Sequence, residues 1–260
     1  MAVFTPAERR QMVDRVAHLL YADTRVEGVV LVGSMAGRPD RWSDIDLAVV
    51  LADGLDGSRV ARDWVRRLYE ELPVAHHFET EFGPTLVRGF MLESSLEIDL
   101  AFDPVSSFAA WEPARLLFDR AGRVQDAMAA EGDWSPAPPD WAGESGFAWH
   151  DVLHASTAIR RRRPWQALWY LQRVRGRALA LAQQRRGLYA DFFDYVDDLP
   201  QDELHPWSET LVTSLEPSAL SRALERATRL YFAELEHGAP GLRARIERPL
   251  LDYLAASDDD

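Results

Sequence analysis

The segment Ser135-Pro136-Ala137-Pro138-Pro139-Asp140 most limits what this chain can fold into. Its three prolines lack amide donors and push the residues before them towards extended backbone, so neither a helix nor a central strand can run through it. A linker is expected there. Upstream, helical and strand patterns alternate; downstream, only helical spacing occurs. The expectation is an α+β chain, with a mixed-sheet domain over residues 1–134 and a helical bundle over 141–260.

In the first part, Pro6 to Ala22 carries an apolar stripe of Met12, Val13, Val16, Leu19 and Leu20, as a surface helix does. Val26 to Val32 is apolar and rich in β-branched residues, which suits a buried strand. A second strand is predicted over Asp44 to Leu51 and an amphipathic helix over Gly57 to Glu71. Strands are also predicted over Val74 to Thr80, Thr85 to Leu92 and Leu96 to Phe102, the last two joined by a hairpin at Glu93-Ser94-Ser95. The second part predicts four helices. One runs from about Glu144 to Arg162, and one from Pro164 to a C-terminal cap at Gly187. Another runs from Pro217-Ser218 to Gly238, and the last follows Pro240. The terminal Asp258-Asp259-Asp260 is expected to fray.

The chain has 260 residues, no cysteine and no lysine; all 29 basic residues are arginine, against 42 acidic ones, for a net charge of −13. Disulfides, thiolate nucleophiles, cysteine metal sites and lysine Schiff bases are therefore excluded. So acidic a chain is poorly suited to neutralising phosphates along a nucleic acid, and no nucleic-acid partner is expected. No apolar run reaches the roughly 18 residues of a membrane span, and Met1 to Arg10 lacks a signal peptide's apolar core. A soluble cytoplasmic protein with no membrane partner is expected. The charge is uneven. Residues 1–140 hold 24 acidic residues against 14 arginines, and 141–260 hold 18 against 15. Val152 to Ala190 has no acidic residue but nine arginines.

Candidate chemistry concentrates between the first two predicted strands, from Gly33-Ser34 to Ser43-Asp44-Ile45-Asp46. On a strand, residues i and i+2 share a face, so Asp44 and Asp46 project together while Ile45 and Leu47 face the core. Two adjacent carboxylates stay ionised readily when a cation lies between them, and few hard oxygen ligands suit Mg²⁺. Asp99, within the apolar run Leu96 to Phe102, is a charge that needs a reason. Gly33 permits close approach of backbone to a ligand, amides of the following turn can bind phosphate oxygens, and the Ser34 hydroxyl can add a donor. These are parts of a phosphoryl or nucleotidyl transfer site.

Gly33-Ser34, about ten residues, Asp44-x-Asp46 on a strand and Asp99 on a later strand resemble the signature of the DNA polymerase β-like nucleotidyltransferase superfamily. With a helical second domain, the chain is similar to the antibiotic nucleotidyltransferases that adenylylate aminoglycosides or lincosamides. The helical part resembles theirs around Ala158-Ile159-Arg160 and from Trp165 through Arg175 to Arg186-Gly187. The resemblance implies a two-ion Mg²⁺ site on Asp44, Asp46 and Asp99, with ATP as donor. Asp99 either completes the metal site or acts as base on the acceptor hydroxyl; Glu97, on the same face, is the alternative base. Gly33, Ser34 and Ser43 are expected at the nucleotide, and Arg160 and Arg175 are the arginines chosen for the triphosphate.

Several features carry plainer readings. Arg160 to Arg163 suits a helix C-terminus without further function, and pairing of the arginines with the acidic first half of the chain is the bland alternative. His150 and His154 share a helix face, but Asp151 stands where a zinc protease motif needs Glu. His76-His77 points to opposite strand faces. Trp42 can line the pocket beside the acidic pair. Asp191, Asp194, Asp197 and Asp198, mixed with Phe192, Phe193 and Tyr195, make either a docking face for a polycation or a solvated helix start. The expected reaction moves AMP onto a hydroxyl of a small, cationic acceptor of aminoglycoside type. A lincosamide or metabolite acceptor, a protein hydroxyl as in toxin–antitoxin enzymes, and a non-catalytic nucleotide-binding module are the alternatives.

Overall fold

The structure is a computed structural model, described over residues 4–110, 113–130, 140–141, 143–190, 193 and 195–256. The chain divides into two compact units, Met1–Trp134 and Ser135–Asp260. The expected linker lies, apart from Asp140, outside the described residues, as do Asp191, Phe192, Asp194 and the terminal aspartates. No helix among the described residues is long and apolar enough to cross a membrane.

The first unit is built on six strands: β1 (Val26–Val32), β2 (Ile45–Leu51), β3 (Val74–Phe82), β4 (Thr85–Leu92), β5 (Glu97–Pro104) and β6 (Ala114–Asp119). Their order is β3-β4-β5-β2-β1-β6. Only β2 and β5 pair in parallel; the other four pairings are antiparallel, so the sheet is mixed as expected. Helix α1 (Pro6–Tyr21) starts at a capping box in which Thr5 and Glu8 satisfy each other's amides. Its Val13, Val16 and Leu20 pack with Val60, Trp64 and Leu68 of α2 (Gly57–Glu71) against Ile45, Leu47, Val49 and Leu51 of β2. The odd-numbered residues of β2 thus face this core. Its even-numbered residues, Asp46, Ala48 and Val50, occupy the other face. There Ala48 and Val50 join Val30, Val32, Val105, Phe108 and Val124, the last from α3 (Arg123–Ala130), in a second apolar cluster.

The second unit contains α4 (Gly143–Arg160), α5 (Pro164–Arg185), α6 (Gln201–Ser208), α7 (Pro217–Gly238) and α8 (Pro240–Ala255). The α+β class holds, with strands confined among the described residues to the first unit. Its core joins Val152, Leu171, Val174, Tyr231, Phe232 and Leu235. Asp151 is fully buried on α4 and accepts from the Nε atoms of Arg173 at 2.9 Å and Arg177 at 3.0 Å. Those arginines are one helical turn apart on α5, so both reach one carboxylate.

Four elements depart from the sequence expectation. Strand β6 and helices α3 and α6 were not anticipated, and β2 starts at Ile45, leaving Asp44 just ahead of the strand. The reasons are physical. β6 is half-buried along most of its length and shows no clean alternation, while α3 and α6 have only eight residues each, with Pro206 inside α6.

Candidate active site

The pairing register sets Phe78, Gly89, Asp99, Asp46 and Val32 in one row across five strands. Directly paired residues present their side chains on the same face. Asp46 and Asp99 are partners on the two parallel strands, about 5 Å apart at their α-carbons by ordinary strand spacing. Asp44, exposed and one residue before β2, brings its carboxylate within hydrogen-bonding reach of Asp46. Glu97, two residues before Asp99 on β5, is exposed on that face.

Four carboxylates at the end of one sheet face repel one another. Burial first, and then the charges of Asp44 and Asp99, push the Asp46 carboxyl up to about 8. Burial, followed by Glu97 and Asp44, pushes Asp99 up to about 6. The Asp99 Oδ1 is buried and has no hydrogen-bond partner. A buried carboxylate oxygen left without a donor is costly unless a proton or cation reaches it. Among the described residues no trio of carboxylate or imidazole groups forms a ready-made cage. An ion on this row would therefore take further oxygens from outside the chain, as Mg²⁺ does with water and phosphate.

Two glycines frame the row. Gly33 has φ +68° and lies so close to Asp46 that a β-carbon there would stand 2.8 Å from Oδ2. The turn after it is closed by amides of Ala36 and Gly37 donating to the Gly33 carbonyl, with the Ser34 side chain exposed. Gly89 does the same service on the other side: a β-carbon there would stand 2.1 Å from Cε1 of Phe78 and 2.8 Å from Asp99 Oδ1. Phe78, itself 47% exposed, thus leans across Gly89 toward Asp99. Sequence reasoning missed both residues. An isolated glycine inside the apolar run Thr85–Leu92 was the available signal for a close approach. Gly89→Ala is expected to lower unfolding stability by about 1–3 kcal/mol, as overpacking does. Gly89→Ala combined with Phe78→Ala should recover most of that loss in a denaturant titration. Equal losses in the single and double variants would contradict this packing.

The approach to Asp44 is held by a turn. Asp40 Oδ1 accepts from the amides of Trp42 at 2.7 Å and Ser43 at 2.9 Å, which lowers its pKa. The Ser43 hydroxyl is buried beside it and accepts from the Asp40 amide at 3.1 Å, while Arg9 donates to the Ser43 carbonyl. Trp42 is 67% exposed, with the Arg41 guanidinium over its ring. Ser43 thus shapes the loop that delivers Asp44.

The arginines expected at a triphosphate belong to the helical unit. Arg175 is buried, and donates to the Thr210 hydroxyl and carbonyl, each at 2.7 Å, and to Gln172. Arg160 donates to the carbonyls of Tyr253 and Ala256 and lies over the Tyr253 ring. His150 and His154 stand 4.2 Å apart between ring centroids, with Tyr170 next to His154.

No family model matches the chain, and no curated protein matches its sequence. Among solved structures it is similar to an aminoglycoside 6-adenyltransferase from Bacillus subtilis, at 12% identity and a TM-score of 0.37, over 94% of this chain and 98% of that one. It is similar to the Cid1 poly(U) polymerase with MgGTP bound, at 12% identity and a TM-score of 0.34, over 88% and 67% of the two chains. It is also similar to the CD-NTase CdnG of Bradyrhizobium diazoefficiens in complex with GTP, at 13% identity and a TM-score of 0.30, over 89% of each.

Proposed function

We propose that the chain is a Mg²⁺-dependent nucleotidyltransferase, moving AMP from ATP to a hydroxyl of a small cationic acceptor of aminoglycoside type. The observation that supports this most is the pairing of Asp46 with Asp99 across parallel strands, with Asp44 beside the first and a buried Asp99 oxygen left without a donor. Such a row is expensive to keep in a fold unless cations and a reacting proton use it.

Asp44 and Asp46 are the residues that would hold Mg²⁺, with Asp99 beside them. Bound there, the ion supplies charge neutralisation for the phosphates and the leaving pyrophosphate. The Gly33-Ser34 turn, next to the Asp46 carboxylate, offers the phosphates backbone that no side chain obstructs and one exposed hydroxyl. Asp99 orients the acceptor hydroxyl and takes its proton; Glu97 is the second carboxylate on that face able to do so. Phe78 walls the row on the β3 side, across Gly89 from Asp99. An acidic rim favours encounter with a polycation.

The test is a pyrophosphate-release screen with ATP and GTP against aminoglycosides, lincosamides, other hydroxyl-bearing small molecules, a short RNA and cell-lysate protein. Release that requires Mg²⁺, and is greatest with ATP and an aminoglycoside, is the expected result. Release with RNA or a labelled protein band alone would move the acceptor to another class. No release with any acceptor, despite binding of Mg·ATP, would leave a nucleotide-binding module.

A further inference from the structure

The helical unit contains a pocket of about 270 Å³ lined by Ser156, Ile159 and Arg160 of α4, by Arg162, by Ser218, Ser221 and Glu225 of α7, and by Leu254 of α8. Its floor is the start of α7, a helix of 22 residues whose N-cap, Glu216, makes no side-chain cap. Pro217 has no amide to offer, and the amides of Ala219 and Leu220 both turn back to the Glu216 carbonyl. Among the described residues the Ser218 amide has no acceptor, so this end of the helix presents a free donor and a partial positive charge to the pocket.

Ser156 is 6% exposed, lines the pocket and has no hydrogen-bond partner for its hydroxyl among the described residues. A serine inside a helix ordinarily returns its hydroxyl to the carbonyl one turn back, as Thr228 does to Leu224 at 2.8 Å. Ser156 does not, and its hydroxyl is left for whatever enters. Ser218 and Ser221 add two more hydroxyls without partners among the described residues. Arg162 lies just beyond α4 with φ +55°, is exposed, and forms no ion pair among the described residues. Among the described residues, Glu225 is the one acidic side chain in the lining.

From these groups we infer that this pocket of the helical unit is a binding site for a small phosphomonoester. Three hydroxyls, one free amide and a guanidinium supply several donors for a single tetrahedral oxyanion. Among the described lining residues, two guanidinium groups, Arg160 and Arg162, stand against the one carboxylate of Glu225. That balance suits a monoester and disfavours a triphosphate, whose extra charges would meet Glu225. The space exceeds one phosphate group, and Ile159, Leu224 and Leu254 offer an apolar surface to a compact organic part.

The test is calorimetric titration of the full chain with inorganic phosphate, without Mg²⁺ or nucleotide. Saturable binding near the millimolar range is expected. Ser156→Ala and Arg162→Gln should each weaken it by about five-fold or more, in line with the loss of one charge-assisted or buried hydrogen bond. Glu225→Gln should tighten it, a change of opposite sign that damage to the fold would not produce. Asp46→Asn should leave it unchanged, so the result is independent of whether the carboxylate row transfers nucleotides. The proposal is overturned by an absence of saturable binding, or by binding that ignores Ser156→Ala, Arg162→Gln and Glu225→Gln, which would make phosphate an adventitious ion only.

Discussion

Asp46→Asn is expected to remove nucleotidyl transfer, by about a thousand-fold or more in turnover, while raising the thermal midpoint of the metal-free protein. The two effects have one cause. Asp46 sits between Asp44 and Asp99, largely buried, and both neighbours raise its pKa. Replacing it by a neutral amide of the same shape removes the like-charge repulsion that the fold otherwise sustains. The same replacement removes a charge that would bind Mg²⁺ and a ligand oxygen facing the phosphates. Losing about 4 kcal/mol of transition-state stabilisation corresponds to about three decades in rate. A site that gains stability when its function is removed is what a stability–activity conflict predicts. Turnover, melting temperature and circular dichroism measured together decide it. Near wild-type turnover in the variant sinks the proposed role of the row; a lowered midpoint in metal-free buffer sinks the electrostatic account of it.

The parts of this site that could be read from the sequence are those that obey short-range rules. Asp44 and Asp46 are related by the strand period of two, and Gly33 stands immediately after a β-branched run. Asp99 is conspicuous because apolar residues flank it. What could not be read depends on register between strands distant in sequence. The row from Phe78 through Gly89 to Asp99 follows from β3 pairing β4 and β4 pairing β5. Neither a turn dipeptide nor an apolar count sets that alignment uniquely. The arginines show the same limit. Helical spacing sets Arg175 apart from Arg173 and Arg177, but it does not reveal that Asp151 lies buried between the latter two, nor that Arg175 turns to Thr210. Likewise Ser43 stands beside the acidic pair in sequence, yet its hydroxyl is bonded within the Asp40 turn.

The stability of the metal-free chain is expected to fall as pH rises from about 5 to 8.5, with Mg²⁺ opposing that fall. In the unfolded chain the carboxyls of Asp46 and Asp99 ionise near 3.8; in the fold they ionise near 8 and 6. Between these values the folded state binds more protons than the unfolded one, so the slope of unfolding free energy against pH is negative. The stabilisation from the protonated forms is complete below pH 4. It is lost first through Asp99 near pH 6 and then through Asp46 near pH 8. Taken at about half strength, because the row is open to water on one side, the two shifts amount to roughly 4 kcal/mol. Carboxylates held low by hydrogen bonds and arginines, such as Asp23, Asp40 and Asp63, contribute the opposite slope, but at and below pH 4, outside this window. A divalent ion favours the ionised row, so its stabilising effect should grow with pH, and each ion bound near neutrality should release close to one proton or more. Urea titrations at several pH values, with and without Mg²⁺, read the slope; calorimetry in buffers of different ionisation enthalpy reads the protons. A flat or rising profile without metal would overturn the electrostatic reading of the site. In Asp46→Asn the upper part of the fall, near pH 8, should be missing, because the group that titrates there has been removed.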